Sequence, residues 1–264
     1  MPTVEHNGTQ VAYQVDGSGP ALVMIHGTGG SAELNFGHLV PRLAARFTVV
    51  RPDYSGAGET VDPGGDLTTE RLAGEVIAAV DAAGVETFDL VGFSLGAAVA
   101  IELAARHPQR VRRLVLLAGF ARSDDARMQL EFGLWHDLAL SDPETLARWQ
   151  MMTGFSPDFV SGLGSAAVEE AIADNVALRR WPDVARQADL DRTLDVRDAA
   201  RRIICPTLVI GCRLDHIVPP AHSRELVELI PGARYAELES GHIAVIEQPD
   251  AFLDLLTGFL GSGS

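Results

Sequence analysis

The sequence predicts an α/β protein, a mostly parallel sheet with helices on both faces and a helical cap inserted late in the chain. Three observations predict it. Short, nearly continuous runs of Val, Ile and Leu alternate with amphipathic stretches of helical period. The runs at 21–27 (ALVMIHG) and 88–94 (FDLVGFS) lead into glycine-containing turns. Residues 121–200 then lose the alternation and read as helix with no convincing strand.

The elements follow in order. VEHNGTQVAYQVDGSGP alternates between turn signals at Asn7-Gly8 and Gly17-Ser18-Gly19, and reads as an antiparallel edge hairpin. The strand at 21–27 precedes a helical pattern at 36–46 and a strand at 47–53. A helix at 68–83 takes Thr68 or Thr69 as its cap. A strand at 88–94, an Ala- and Leu-rich helix at 95–107 and a strand at 111–119 complete the first half. After the insertion come a strand at 206–215, a helix at 222–230, a strand at 234–239 and a helix at 246–260. The expected organisation is a core of 1–120 and 201–260, a cap of 121–200, and a flexible tail at 261–264.

Composition narrows the function. A chain of 264 residues buries one large core without needing two domains. A net charge of −15 argues against a nucleic-acid partner, which needs a basic face. All 21 basic residues are Arg, which removes Schiff-base and P-loop lysine chemistry. Arg-only usage is expected of a high-GC bacterial genome such as an actinomycete's. No apolar run approaches the roughly 18–20 residues that cross a bilayer, and MPTVEHNGTQ lacks the pattern of a signal peptide; a cytoplasmic protein without a membrane partner is expected. Cys205 and Cys212 flank the strand PTLVIG, which holds them roughly 23 Å apart. They cannot pair at that distance and read as small core residues.

Gly92-Phe93-Ser94-Leu95-Gly96 is a G-x-S-x-G sequence between a predicted strand and a predicted helix. A tight βα turn could use the same residues structurally. The context suits a nucleophile elbow: two glycines let strand and helix approach around Ser94, and a helix N-terminus faces developing negative charge.

Here the chain resembles the α/β-hydrolase superfamily over nearly its whole length. His26-Gly27-Thr28-Gly29-Gly30 resembles the oxyanion loop, Asp53 with Gly56 and Gly58 a D-x-x-G-x-G turn, and Gly92–Gly96 the elbow. Leu214-Asp215-His216-Ile217-Val218-Pro219-Pro220 resembles the acid loop, and Ser240-Gly241-His242 the histidine loop. The resemblance is closest to small enol-lactonase and esterase-like members.

A serine hydroxyl needs a base within reach. His242 follows a strand on the edge where Ser94 emerges; His26 is its rival by position, though the resemblance gives it a bracing role. His136 reads as a solvated cap residue and His107 as a cation at a helix C-terminus. Asp215, at a strand end, suits the orienting acid. Asp124 and Asp125 follow an earlier strand where some relatives keep their acid, and Asp53 reads as a turn brace. The backbone amides of Leu95 and Thr28 are the expected oxyanion hole.

All three Trp fall in the cap, and Trp135, Trp149, Met152 and Phe155, with Phe93, are the expected pocket lining. The implied function is hydrolysis of an ester, lactone or thioester of a substantially apolar small molecule through an acyl-enzyme, with no metal or organic cofactor. A thioesterase role would add an acyl carrier protein as partner. Ser94 argues against dehalogenase and epoxide-hydrolase chemistry, which use aspartate. Carbon–carbon hydrolases, perhydrolases, acyltransferases and a non-catalytic receptor remain compatible. Oligomeric state is not encoded in any motif.

Overall fold

A computed structural model describes residues 1–261. Eight strands form one sheet: β1 (Thr3–His6), β2 (Thr9–Asp16), β3 (Ala21–Ile25), β4 (Thr48–Asp53), β5 (Phe88–Phe93), β6 (Val111–Leu117), β7 (Thr207–Cys212) and β8 (Arg234–Leu238). Their order is β1-β2-β4-β3-β5-β6-β7-β8. Pairing is antiparallel for β1 with β2 and β2 with β4, and parallel from β4 onward.

The central strands are apolar throughout because both faces are covered. Along β3, Ala21, Val23 and Ile25 enter one apolar cluster and Leu22 and Met24 the other. This is the two-residue alternation of an extended chain. One layer contains α3 (Thr69–Ala82) and α4 (Leu95–Arg106); the other contains α1 (Ala32–Phe36) and α2 (Val40–Leu43).

Between β6 and β7 lie α5 (Ala126–Ser141), α6 (Pro143–Gly154), α7 (Pro157–Leu163), α8 (Ser165–Leu178) and α9 (Trp181–Thr193). An isolated bridge between Arg122 and Asp195 closes their neck. The short α10 (Arg197–Ala200) packs on α4 and on α11 (Pro220–Leu229), in the layer of α3. The chain finishes with α12 (Ala244–Glu247) and α13 (Pro249–Gly261) on the opposite layer.

Departures from the sequence reading have local causes. The helix expected at 36–46 is α1, a 3-10 turn at Gly37–Leu39 and α2, restarted with Pro41 in its first turn. The helix expected at 246–260 divides because Pro249 opens α13 rather than continuing α12. The edge hairpin expected here is β1 and β2, turned at Asn7-Gly8, while Gly17 and Gly19 carry the chain from β2 past β4 to β3. Of the tail expected at 261–264, Gly261 ends α13 and 262–264 lie outside the described residues.

A tight backbone constraint lies where β5 meets α4. A Cβ on Gly96 would stand 2.3 Å from the carbonyl oxygens of both Ile25 and His26. By contrast, Gly133 in α5 has nothing within 4 Å of that position. Gly96→Ala is therefore expected to lower stability by about 2–3 kcal/mol through overpacking, while Gly133→Ala raises it by roughly 0.5–1 kcal/mol. Urea denaturation checks both; equal midpoints for the two variants would contradict the packing described.

Candidate active site

Ser94 follows β5 with φ 55° and ψ −122°, a left-handed region that a side chain enters only under constraint. Gly92 and Gly96 admit that turn, and the Ser94 amide donates to Leu117 O on β6 at 3.0 Å. Its hydroxyl stands apart from the helix cap and lies 3.0 Å from His242 Nε2. His242 Nδ1 lies 2.7 Å from Asp215 Oδ2. The carboxylate fixes the ring tautomer, placing the proton on Nδ1 and leaving Nε2 to accept from Ser94. Ser94, His242 and Asp215 are each about 95% buried.

The loops carrying these groups are stitched together. Asp215 Oδ1 accepts from the amides of Ile217 and Val218 at 2.9 and 2.8 Å, leaving Oδ2 for the imidazole. Arg213 and Leu214 amides donate to Leu238 and Ser240 carbonyls, joining the acid loop to the histidine loop. Glu247 Oε2 accepts from the amides of Gly241 and Ser156, and the Ile243 amide donates to Gly154 O. Thus the end of α6 is tied to the histidine loop. Gly241 is required by close approach: a Cβ there would meet Phe155 backbone atoms at 2.6 Å.

Helix α9 holds the 26–30 loop. Gly27 N donates to Asn35 Oδ1, and Gly29 N to Gln187 Oε1 at 2.7 Å. Between them, the Thr28 amide is uncommitted among the described residues. The Leu95 amide, at the first position of α4, has no preceding helical turn to bond. The Thr28 hydroxyl is spoken for, donating to Asp191 Oδ2 at 2.5 Å. Burial pushes the Asp191 carboxyl well above the usual carboxylate range, against the smaller opposing effect of the hydrogen bond from Thr28. His26 is buried, stacked on Tyr54 at 3.9 Å and hydrogen-bonded through Nδ1 to Gly27 O; burial lowers its pKa. Asp53 accepts from Ala32 N and braces the turn.

A cavity of about 60 Å³ opens onto Ser94 and His242. Of the five residues expected to line it, Phe93, Trp135 and Phe155 do so. Trp149 and Met152 do not: Met152 is 72% exposed and Trp149 donates its indole N–H to Glu131 at 3.0 Å. Their size suggested a pocket, but the face of α6 decides. Leu146, Ala147, Gln150, Met151 and Gly154 share the buried face, and that period was readable in the sequence. Phe132, one turn from Trp135, is a lining residue missed for the same reason.

Other candidates fall elsewhere. Asp125 caps α5, and Asp124 pairs with Arg122. His136 faces Asp137 and Asp189 at the surface. At the end of α4, burial and then Arg110 lower the pKa of His107, working against the positive charge its position suggested. Cys205 and Cys212 are free thiols at opposite ends of β7. Among the described residues no group of three His, Cys, Asp or Glu side chains is placed to hold a metal ion. No described helix is long and apolar enough to cross a membrane.

Residues 22–255 match the model of the alpha/beta hydrolase family. The chain is 51% identical to the pyrrolizixenacetamide deacetylase of Xenorhabdus hominickii, over 98% of each chain. It is 32% identical to the pimeloyl-[acyl-carrier protein] methyl ester esterase of Aeromonas hydrophila, over 95% of this chain and 99% of the relative. Among solved structures, the enol-lactonase from Burkholderia xenovorans LB400 superposes with a TM-score of 0.89 at 28% identity, covering 99% of this chain and 100% of that one.

The buried Asp191 generates a pH prediction. Its folded pKa is raised, so the unfolded carboxyl ionises first and stability is lost as pH rises above the ordinary carboxylate value toward the folded one. Asn keeps the acceptor for Thr28 and carries no proton to lose. Asp191→Asn is expected to be stabilised relative to the parent at pH 8, with a smaller gain at pH 5. Denaturation midpoints at the two pH values check this; a gain independent of pH would show that Asp191 is not held protonated.

Proposed function

The chain belongs to the alpha/beta hydrolase family, and on that footing we propose that it is a serine hydrolase removing a short acyl group from an amide or ester. The carrying observation is the unbroken line from Ser94 Oγ through His242 to Asp215, at 3.0 and 2.7 Å. Ser94 attacks the substrate carbonyl while His242 Nε2 takes its proton. Asp215 stabilises the imidazolium that results. The amides of Leu95 and Thr28 receive the tetrahedral oxyanion. His242 then protonates the leaving amine or alcohol, and water, activated by the same imidazole, resolves the acyl-enzyme.

Cavity size favours a short acyl group over the large apolar one expected from the cap's composition. About 60 Å³ beside Ser94 is small against the roughly 300–1,000 Å³ of ordinary ligand pockets. An amide substrate is supported by the relative at 51% identity, whose name is that of a deacetylase. An ester substrate is supported by the relative named as a methyl ester esterase.

Two predictions follow from this mechanism. Ser94→Ala is expected to lose about 10³-fold or more of kcat on 4-nitrophenyl acetate and to stop labelling by a serine-reactive phosphonate. Asp215→Asn is expected to impair turnover at least about 100-fold, whereas Asp125→Asn, removing a charge that caps α5 and lies 3.5 Å from His222, leaves it within a few-fold. Labelling of Ser94→Ala at a different serine would sink the nucleophile assignment. Second, kcat/KM is expected to fall about tenfold or more from acetyl to hexanoyl esters, and Met151→Ala, which enlarges the cavity, to narrow that ratio. An unchanged ratio would place the acyl chain elsewhere.

A further inference from the structure

The cavity beside Ser94 contains a polar wall that acyl transfer leaves unused. Arg179, in the connection between α8 and α9, lines this cavity and also the larger one beside Gly29, Glu33 and Asp53. Its Nη1 donates to Gln150 Oε1 at 2.7 Å, and its charge lies 5.9 Å from the centre of the Trp181 ring. Arg180, the next residue, faces outward and pairs with Asp183 at 3.0 Å. Among the described residues no carboxylate lies within ion-pair distance of Arg179. Burial lowers its pKa to about 10, so it stays charged at neutral pH.

Three buried polar atoms around it have no protein partner among the described residues: Arg179 Nε, Gln150 Nε2 and Asn175 Oδ1. All three residues line the same cavity as Ser94 and His242. Two are donors, and the Asn175 amide can present either end, its oxygen and nitrogen being assigned by neighbours rather than by shape. A desolvated cation without a counter-charge is costly. In a protein of net charge −15, an inward cation with no acidic partner is not surface background.

We propose that Arg179, with Gln150 and Asn175, forms a carboxylate-recognition subsite, so that the substrate hydrolysed at Ser94 carries an anionic carboxylate a short distance from its scissile carbonyl. This rests on the serine-hydrolase reading for the reacting bond, though not for the binding of the anion. The ligand carboxylate supplies the charge that the protein withholds. Gln150, fixed by its bond to Nη1, directs its own N–H group to the same ligand. Charge-assisted hydrogen bonds of this kind are stronger than neutral ones, and a site built for such a group discriminates against analogues lacking it.

The test compares two pairs of near-isosteric esters. Acetoxyacetate against isobutyl acetate places the carboxylate on the leaving group; ethyl hydrogen succinate against ethyl 4-methylpentanoate places it on the acyl group. In at least one pair the parent protein is expected to favour the anion by about tenfold or more in kcat/KM, and Arg179→Met to abolish that preference. Preference for the neutral ester in both pairs, or a preference that survives Arg179→Met, overturns the subsite while leaving the hydrolase intact. If no ester is hydrolysed, the ester half of the hydrolase reading fails and calorimetry decides the subsite alone. Titration of acetoxyacetate and of succinate into Ser94→Ala protein is then expected to give binding with at least one anion that Arg179→Met removes. Absence of binding, or binding indifferent to Arg179, refutes it.

Discussion

The site depends on how closely β5, β3 and α4 approach one another. Gly96 lies against the carbonyls of Ile25 and His26, and Gly92 against Gly96 and Ala97. With no side chains in the way, the chain reverses from strand to helix within one residue, and Ser94 bears the strain at φ 55°. The same approach sets the helix N-terminus beside the end of β3, where a Cβ on Gly27 would stand 3.0 Å from the Cβ of Ser94. A parallel sheet collects the following loops at that edge, which is why residues from distant parts of the chain meet there.

The helices inserted after β6 also support the site. Gln187 and Asp191 of α9 hold Gly29 and Thr28, while Gly154 and Ser156 are bonded to the histidine loop and its partner Glu247. These are buried or partly buried contacts between polar groups, costly to leave unmade. The insertion therefore fixes the backbone that surrounds Ser94 as well as roofing the cavity above it.

Much of this was legible in the sequence, for reasons that differ by residue. Ser94, Asp215 and His242 lie in short motifs whose spacing reflects backbone geometry, and strand-end loops gather on one edge in any parallel sheet. The burial of β3 and β5 along their whole length follows from apolar runs covered on both sides. The lining residues were less legible because size is a poor guide to direction. Trp149 and Met152 are large but lie off the inner face of α6, while Gln150 and Met151 lie on it. Arg179, Gln187 and Asp191 gave no signal, since a polar residue on a helix or in a connection usually faces solvent. Their inward placement arises from tertiary packing that no local pattern records.

The near-contact of Gly241 with Phe155 has an evolutionary reading. There the histidine loop and the chain leaving α6 occupy almost the same space, with 2.6 Å between a would-be Cβ and the Phe155 backbone. Recombination that exchanged the insertion for a relative's would have to deliver a backbone of the same shape at that point, together with acceptors equivalent to Gln187 and Asp191. Sequence drift in the insertion is then uneven: outward positions such as Met152 are free to vary, while a few small or polar ones are inherited jointly with loops more than a hundred residues away in the chain.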